Sequence, residues 1–363
     1  FQAEDGIRDC LLSRGLGDVY KRQVFRFSVV IPNASHIGCV TQAAVEPVLP
    51  KTTNIFTNLI KKSGFENNTS FMAVDLRSNK FIGRHNEKLR LPIASVTKMV
   101  TACYYLSNNY KLDRFKTELF IDGVIEDNIL HGDLYLKGYG DPTLKTDDLS
   151  LFIDSVKNLG VTEVHGSLFY DNSYLPDINY INRNQLPQYA YNPGMGAINL
   201  NENRILFEWK RLEKAKYKTS LTAPGLKNIA QVTNITMDLE NYKGPVYNYE
   251  LDETKFKERW SVNRRILGKK GSRWLPVRES SYYATEALKQ LLVDRGIEIT
   301  SISRKKVSEK SRLLCTHYSV DNKIILKSAL KYSKNMVTES LGLFTSRPVS
   351  YTHLRAHETR GNL

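Results

Sequence analysis

Apolar positions recur at helical spacing near the start of the interpretable chain. In "PKTTNIFTNLIKK" (50–62), Ile55, Leu59 and Ile60 share one side, and Ser63-Gly64 ends the run, which predicts a short amphipathic helix. "SFMAVDLRSNKFIGRHN" then reads as a hairpin: an apolar run from Phe71 to Leu76, turn chemistry in "RSNK", and a second strand from Phe81-Ile82. "LPIASVTKMVTACYYL" (91–106) predicts a helix opening near Ser95. Its apolar stripe is Met99, Val100, Cys103 and Leu106, with Cys103 as core filling, and "SNN" at 107–109 is its stop.

Beyond about Lys111 the period shortens. "HGDLYLKG", "VHGSLFYD", "AINLNENRILFEW" and "QVTNITMDLE" are short β-rich runs separated by Gly, Pro, Asn and Asp, with one helical run, "DDLSLFIDSVKNLG", among them. This texture lasts to about Arg278 and predicts a mostly-β inserted region. Helical patterning then returns in "SYYATEALKQLLVDRGI", with Gly296 as its stop, and in "DNKIILKSALKYSKNMVTESLGLF", one or two helices around Ser333. "EITSIS" between them suits a strand. The chain shows no internal repeat and no low-complexity tract.

Composition fits a folded protein rather than a disordered one: 41% apolar, 25% charged and 10% aromatic over 363 residues. The balance of 52 basic and 38 acidic residues, 52 − 38 = +14, favours anionic surroundings. The charge is spread along the chain, no basic helix carries interleaved aromatics, and no zinc-type cysteine spacing occurs, so nucleic acid is not an expected partner. Cys10, Cys39, Cys103 and Cys315 lie far apart and fit no metal pattern. No metal and no cofactor is expected.

Both ends look foreign to the rest. Residues 1–23 and 346–363 resemble translated sequencing-adapter read-through, as in assembled environmental DNA, and are set aside from fold reasoning. On that reading the natural coding sequence is cut at about Val24 and about Thr345. Residues 24–49 read as a signal remnant and linker, with small residues at Thr41, Ala43 and Ala44. No later stretch reaches the roughly 18 apolar residues of a membrane span. The expected organisation is a first catalytic segment over 50–110, the β-rich insertion over 111–278 and a second, truncated catalytic segment over 279–345.

The candidate chemistry is a serine beside a lysine. On a helix, residues three apart share a face, so the Lys98 amine can reach the Ser95 hydroxyl and act as its base. A helix N-terminus favours the developing alkoxide. The spacing alone is weak, since Ser303/Lys306 and Ser328/Lys331 repeat it. Ser-x-Asn also occurs three times, at Ser107/Asn109, Ser261/Asn263 and Ser333/Asn335. Context favours Ser95, which opens an apolar helix, over a charged loop or a mid-helix position.

"PIASVTKMVTA" resembles the first motif of penicillin-interacting serine enzymes and "YSKNMVTESL" their second. "GDLYLKGYGDPTL", "VHGSLFYDNSYL", "AINLNENRI" and "YATEALKQLLVDRGIEI" narrow the likeness to the D-alanyl-D-alanine carboxypeptidase/endopeptidase family, the class C low-molecular-mass penicillin-binding proteins. The likeness runs from about Thr53 to about Phe344. It implies an α/β (α+β) penicillin-binding/β-lactamase-like transpeptidase fold, incomplete here, with a large mostly-β insertion. It also implies roles: Ser95 as acylated nucleophile, Lys98 as its base, Ser333 as a proton relay to the leaving amine, and Asn335 as a holder of Lys98 and of the substrate amide. The implied partners are peptidoglycan stem peptides and cross-bridges, with β-lactams as inhibitors and peripheral membrane association. The implied location is periplasmic or otherwise extracytoplasmic.

Two departures stand out. Lys334 occupies the middle of the second motif, where these enzymes often have Asp. The third motif, Lys-Thr/Ser-Gly, does not follow Ser333; the one match, Lys62-Ser63-Gly64, lies upstream of Ser95 and reads as a helix stop. The chain as written is therefore expected to be inactive and its longer parent active. The alternatives are a same-fold serine β-lactamase or esterase, and a non-catalytic wall-binding module that uses the basic surface.

Overall fold

A computed structural model describes residues 53–108, 114–213, 216–242, 244–252, 254 and 256–346. The adapter-like ends (apart from Ser346), the signal remnant, Cys10 and Cys39 lie outside these residues. The chain divides into two compact units, one ending at Ile93 and the other starting at Ala94.

In the first unit, helix α1 (Thr53–Ser63) precedes an antiparallel hairpin of β1 (Phe71–Asp75) and β2 (Lys80–His85). Phe56 of α1 packs on Phe71 of β1, with ring centroids 5.0 Å apart. Gly64, at φ +73, ends α1, and Ser63 Oγ donates to the Ile60 carbonyl. The Lys62-Ser63-Gly64 match is thus a helix C-terminus.

The second unit opens with α2 (Thr97–Asn108). Its β-rich body holds three sheets. The largest has the order β13-β5-β4-β3-β14, from β3 (Lys116–Glu126), β4 (Ile129–Gly138), β5 (Glu163–Asp171), β13 (Glu298–Arg304) and β14 (Arg312–Tyr318). A four-stranded antiparallel sheet runs β12-β6-β7-β8, from β6 (Arg204–Arg211), β7 (Tyr217–Pro224), β8 (Ile229–Gln231) and β12 (Lys270–Pro276). The third has the order β10-β11-β9, from β9 (Ile235–Glu240), β10 (Tyr247–Asp252) and β11 (Lys257–Asn263). Helix α3 (Ser150–Lys157) buries Phe152, Ile153 and Val156 against this body, and α4 (Ser280–Asp294) buries Tyr283, Ala287 and Leu288. The body does not stop at residue 278. Helix α4 shares its core, β13 pairs with β5 and β14 with β3, so chain beyond 278 closes the largest sheet.

A second, helical core joins α2 to α5 (Asn322–Lys331) and α6 (Asn335–Ser346). Ala102 and Tyr105 of α2 pack with Ile325 and Ala329 of α5 and with Met336, Val337 and Leu341 of α6. Phe115 and Phe344 complete an aromatic cluster around Tyr105, with Phe115 and Phe344 edge to face at 4.8 Å. This corrects the expected stripe on α2. Met99, Val100, Cys103 and Leu106 are exposed, because the helix turns Ala102 and Tyr105 toward its neighbours. Cys103 is not core filling.

Candidate active site

The site forms where α2 begins and where α5 gives way to α6. A 3₁₀ turn, Ala94–Val96, leads into α2, and Ala94 sits in the left-handed region at φ +44. The Thr97 hydroxyl donates to the Ala94 carbonyl at 2.7 Å and closes this turn. Ser95 is thereby presented at the helix start, exposed, with Lys98 one turn on. In such a turn residues i and i+3 nearly eclipse, and Lys98 Nζ lies 3.2 Å from Ser95 Oγ.

Ser333 arrives from the other side. Helix α5 ends in a Schellman arrangement: the Lys334 N–H bonds the Ala329 carbonyl at 3.1 Å, and Ser333 takes the left-handed position at φ +52. Glycine is the usual choice there because a Cβ crowds the carbonyl. A serine in that conformation is a strained choice, of the kind that gathers at functional sites. Here it aims the hydroxyl at α2, and Ser333 Oγ donates to Ser95 Oγ at 2.7 Å. Packing keeps the two ends in place. Gly342 of α6 rides close to Thr101 of α2, where an added Cβ would sit 3.6 Å from the Thr101 methyl.

Lys334 and Asn335 turn to the β-rich body. Lys334 Nζ meets Glu202 Oε1 at 2.5 Å, and Arg204 approaches the other Glu202 oxygen at 3.5 Å. Glu202 is the middle of three consecutive left-handed residues, Asn201, Glu202 and Asn203. The stretch 197–203 is therefore a tight loop, where sequence patterning favours strand. Asn335 Nδ2 donates to the Tyr191 carbonyl at 3.1 Å. Ser95, Lys98 and Ser333 thus form one hydrogen-bonded set, while Asn335 borders it on the side of Tyr191.

The loop bearing Tyr191 is anchored by a buried charge. Arg278 is 2% exposed; it donates to the carbonyls of Asn192 and of Pro187 (2.7 Å) and stacks over Tyr180 at 4.0 Å. The Gly194 N–H reaches the Val277 carbonyl at 2.7 Å, and any Cβ at Gly194 would collide with the Arg278 backbone. Below it, buried Glu258 accepts from the N–H groups of Arg278 and Glu279 and from the Tyr249 hydroxyl. Burial pushes the Glu258 carboxyl up and draws the Arg278 guanidinium down from their ordinary values. Glu202, Tyr191 and Arg278 escaped the sequence reading. The unusual Asn-Glu-Asn run was the one available sign for Glu202; the others follow from tertiary packing.

Ser303 lies on β13 and Ser328 inside α5, where its carbonyl receives the Tyr332 N–H. Among the described residues, no cluster of three or more His, Cys, Asp or Glu is placed to hold a metal ion. No described helix is long and apolar enough to cross a membrane.

The sequence model of the D-Ala-D-Ala carboxypeptidase 3 (S13) family matches residues 54–352. The chain belongs to this family. Its relatives include D-alanyl-D-alanine carboxypeptidase DacB of Haemophilus influenzae, 24% identical over 305 residues, which cover 81% of this chain and 62% of that protein. Crystal structures of penicillin binding protein 4 (dacB) from the same organism share the fold. One superposes with a TM-score of 0.58 at 20% identity, over 78% of this chain and 62% of that one. Another, complexed with a β-lactam, gives 0.54 at 20% identity, over 75% and 59%. The chain spans about 62% of the length of the DacB relative that it matches. The S13-family fold is the α/β penicillin-binding arrangement expected from the motifs.

Proposed function

We propose that the protein containing this chain is a serine D-Ala-D-Ala carboxypeptidase/endopeptidase that acts on peptidoglycan peptides through an acyl-enzyme and is acylated by β-lactams. The observation that carries this reading is the convergence on Ser95 Oγ of Lys98 Nζ at 3.2 Å and of Ser333 Oγ at 2.7 Å, the serine coming from 238 residues further along the chain than Ser95. As a neutral amine, Lys98 takes the Ser95 proton while Oγ attacks the carbonyl carbon of the penultimate D-alanine. The N–H of Ser95 contributes to stabilising the oxyanion. Ser333 then passes a proton to the departing amine, the C–N bond breaks, and the terminal D-alanine leaves. Water hydrolyses the Ser95 ester by the reverse proton route. Asn335, fixed by the Tyr191 carbonyl, orients the substrate amide. Membership of the family supports an extracytoplasmic, cell-wall setting.

The test compares release of D-alanine from a peptide ending in D-Ala-D-Ala with turnover of a chromogenic β-lactam, for the parent protein and for Ser95→Ala. D-alanine release that is abolished by Ser95→Ala, with slow β-lactam turnover, is the expected result. Fast β-lactam hydrolysis with no peptide cleavage would instead identify a β-lactamase. Wall binding without either activity, unaffected by Ser95→Ala, would identify a binding module.

A further inference from the structure

We propose that the far end of the four-stranded sheet is a docking surface for anionic lipid headgroups. On β6, Ile205 and Phe207 are buried and Trp209 packs on the same core, so alternation turns Lys210 to solvent. The register sets Lys270 of β12 on one side of Lys210 and Lys218 of β7 on the other. Three lysines therefore stand in one row across three strands, about 4.8 Å apart at the backbone. Like charges directly opposite one another oppose strand pairing. None of the three has an ion pair among the described residues. An unneutralised ladder on a rigid sheet is a cost to the fold that an external anion relieves.

The row continues around the end of the sheet. The Arg211 N–H bonds the Lys269 carbonyl, the Leu212 N–H bonds the Lys216 carbonyl, and the Tyr217 hydroxyl bonds the Leu267 carbonyl. These bonds place the end of the β6–β7 hairpin beside the turn that precedes β12. Arg264 and Arg265 start that turn in a short 3₁₀ helix. The acids here are Glu208, two positions along β6 from Lys210, and Glu213. At this basic end two large apolar side chains face outward: Leu212 is 48% exposed and Ile266 53% exposed.

Those two side chains decide the occupant. A soluble polyanion needs cations alone. A lipid surface takes both features: the cations meet headgroup phosphates and the apolar tips enter the boundary with the acyl chains. Each cation near an anionic bilayer improves partitioning roughly fivefold, so loss of three lowers it on the order of a hundredfold.

The experiment measures cosedimentation of the purified chain with vesicles of phosphatidylglycerol and phosphatidylcholine, with vesicles of phosphatidylcholine alone, and its retention on a soluble polyphosphate column. Variants are Lys210→Gln/Lys218→Gln/Lys270→Gln and Leu212→Ser/Ile266→Ser, with circular dichroism melts as folding control. These side chains lie on the solvent face, so the melts should hold or rise. Expected results are binding to the anionic vesicles that weakens with salt, a fall near a hundredfold in the triple variant, and a clear loss in the double variant. Equal binding to phosphatidylcholine vesicles, no effect of the triple variant, or polyphosphate retention with the double variant binding vesicles normally would each overturn the proposal. None of these readings depends on the Ser95 chemistry, so the two proposals fail separately.

Discussion

Lys334 and Glu202 form an ion pair, with Nζ 2.5 Å from Oε1, that joins the second motif to the β-rich body. The pair flanks Ser333, whose hydroxyl reaches Ser95. It gives the lysine in the middle of the second motif a partner of opposite charge, supplied by the Asn-Glu-Asn loop.

Exchanging the two charges tests this link. In the longer protein containing this chain, Lys334→Glu and Glu202→Lys should each slow acylation by a reporter β-lactam. The double exchange should recover part of the loss, with a coupling of about 1 kcal/mol, or roughly fivefold in rate, since both groups are partly exposed. Losses that simply add would show that the pair does not position Ser333.

Ser333→Gly should separate stability from activity. Glycine relieves the left-handed strain at φ +52, so thermal unfolding should show a gain of about 1 kcal/mol. Acylation should fall roughly a hundredfold, because the hydroxyl 2.7 Å from Ser95 is gone. A destabilised variant that keeps its acylation rate would contradict both halves.

Lys98→Met keeps the length of the side chain and removes the amine. Acylation should drop by about three orders of magnitude, with the melting temperature little changed, since general-base removal typically costs between 10² and 10⁴. A loss under tenfold in stopped-flow acylation would assign the base elsewhere.

His317, on β14, titrates in a useful range. Burial works against its imidazolium, yet the Asp141 carboxylate 3.5 Å away, together with Asp148, holds its pKa above 6.5. A raised folded value means that its stabilising contribution is complete below 6.5 and is lost as pH rises through the folded value. Urea unfolding at pH 6 and pH 8 should show a stability difference in the natural chain that shrinks in His317→Gln. An identical difference in the variant would rule out this source.

The helices could be read from the sequence because their apolar period is strong. Helix α4 and its stop at Gly296, and the α5–α6 pair around Ser333, follow directly from it. The face that α2 buries could not, because Met99, Val100 and Leu106 are as apolar as Ala102 and Tyr105, and only packing against α5 and α6 selects between them. Strand β14 was missed since "RLLCTHY" alternates weakly, and it is a strand through pairing with β3. The pair Ser95/Lys98 was legible as a motif, and Ser333 as its distant partner. Glu202, Tyr191 and Arg278 enter through contacts between residues far apart in the chain, which local pattern does not encode.

The most direct measurement is the position of the covalent label. The protein containing this chain, treated with a fluorescent penicillin and digested, should yield one labelled peptide with the acyl group on Ser95, and none in Ser95→Ala. Label on another residue, or no label on the folded longer parent protein, would contradict the account.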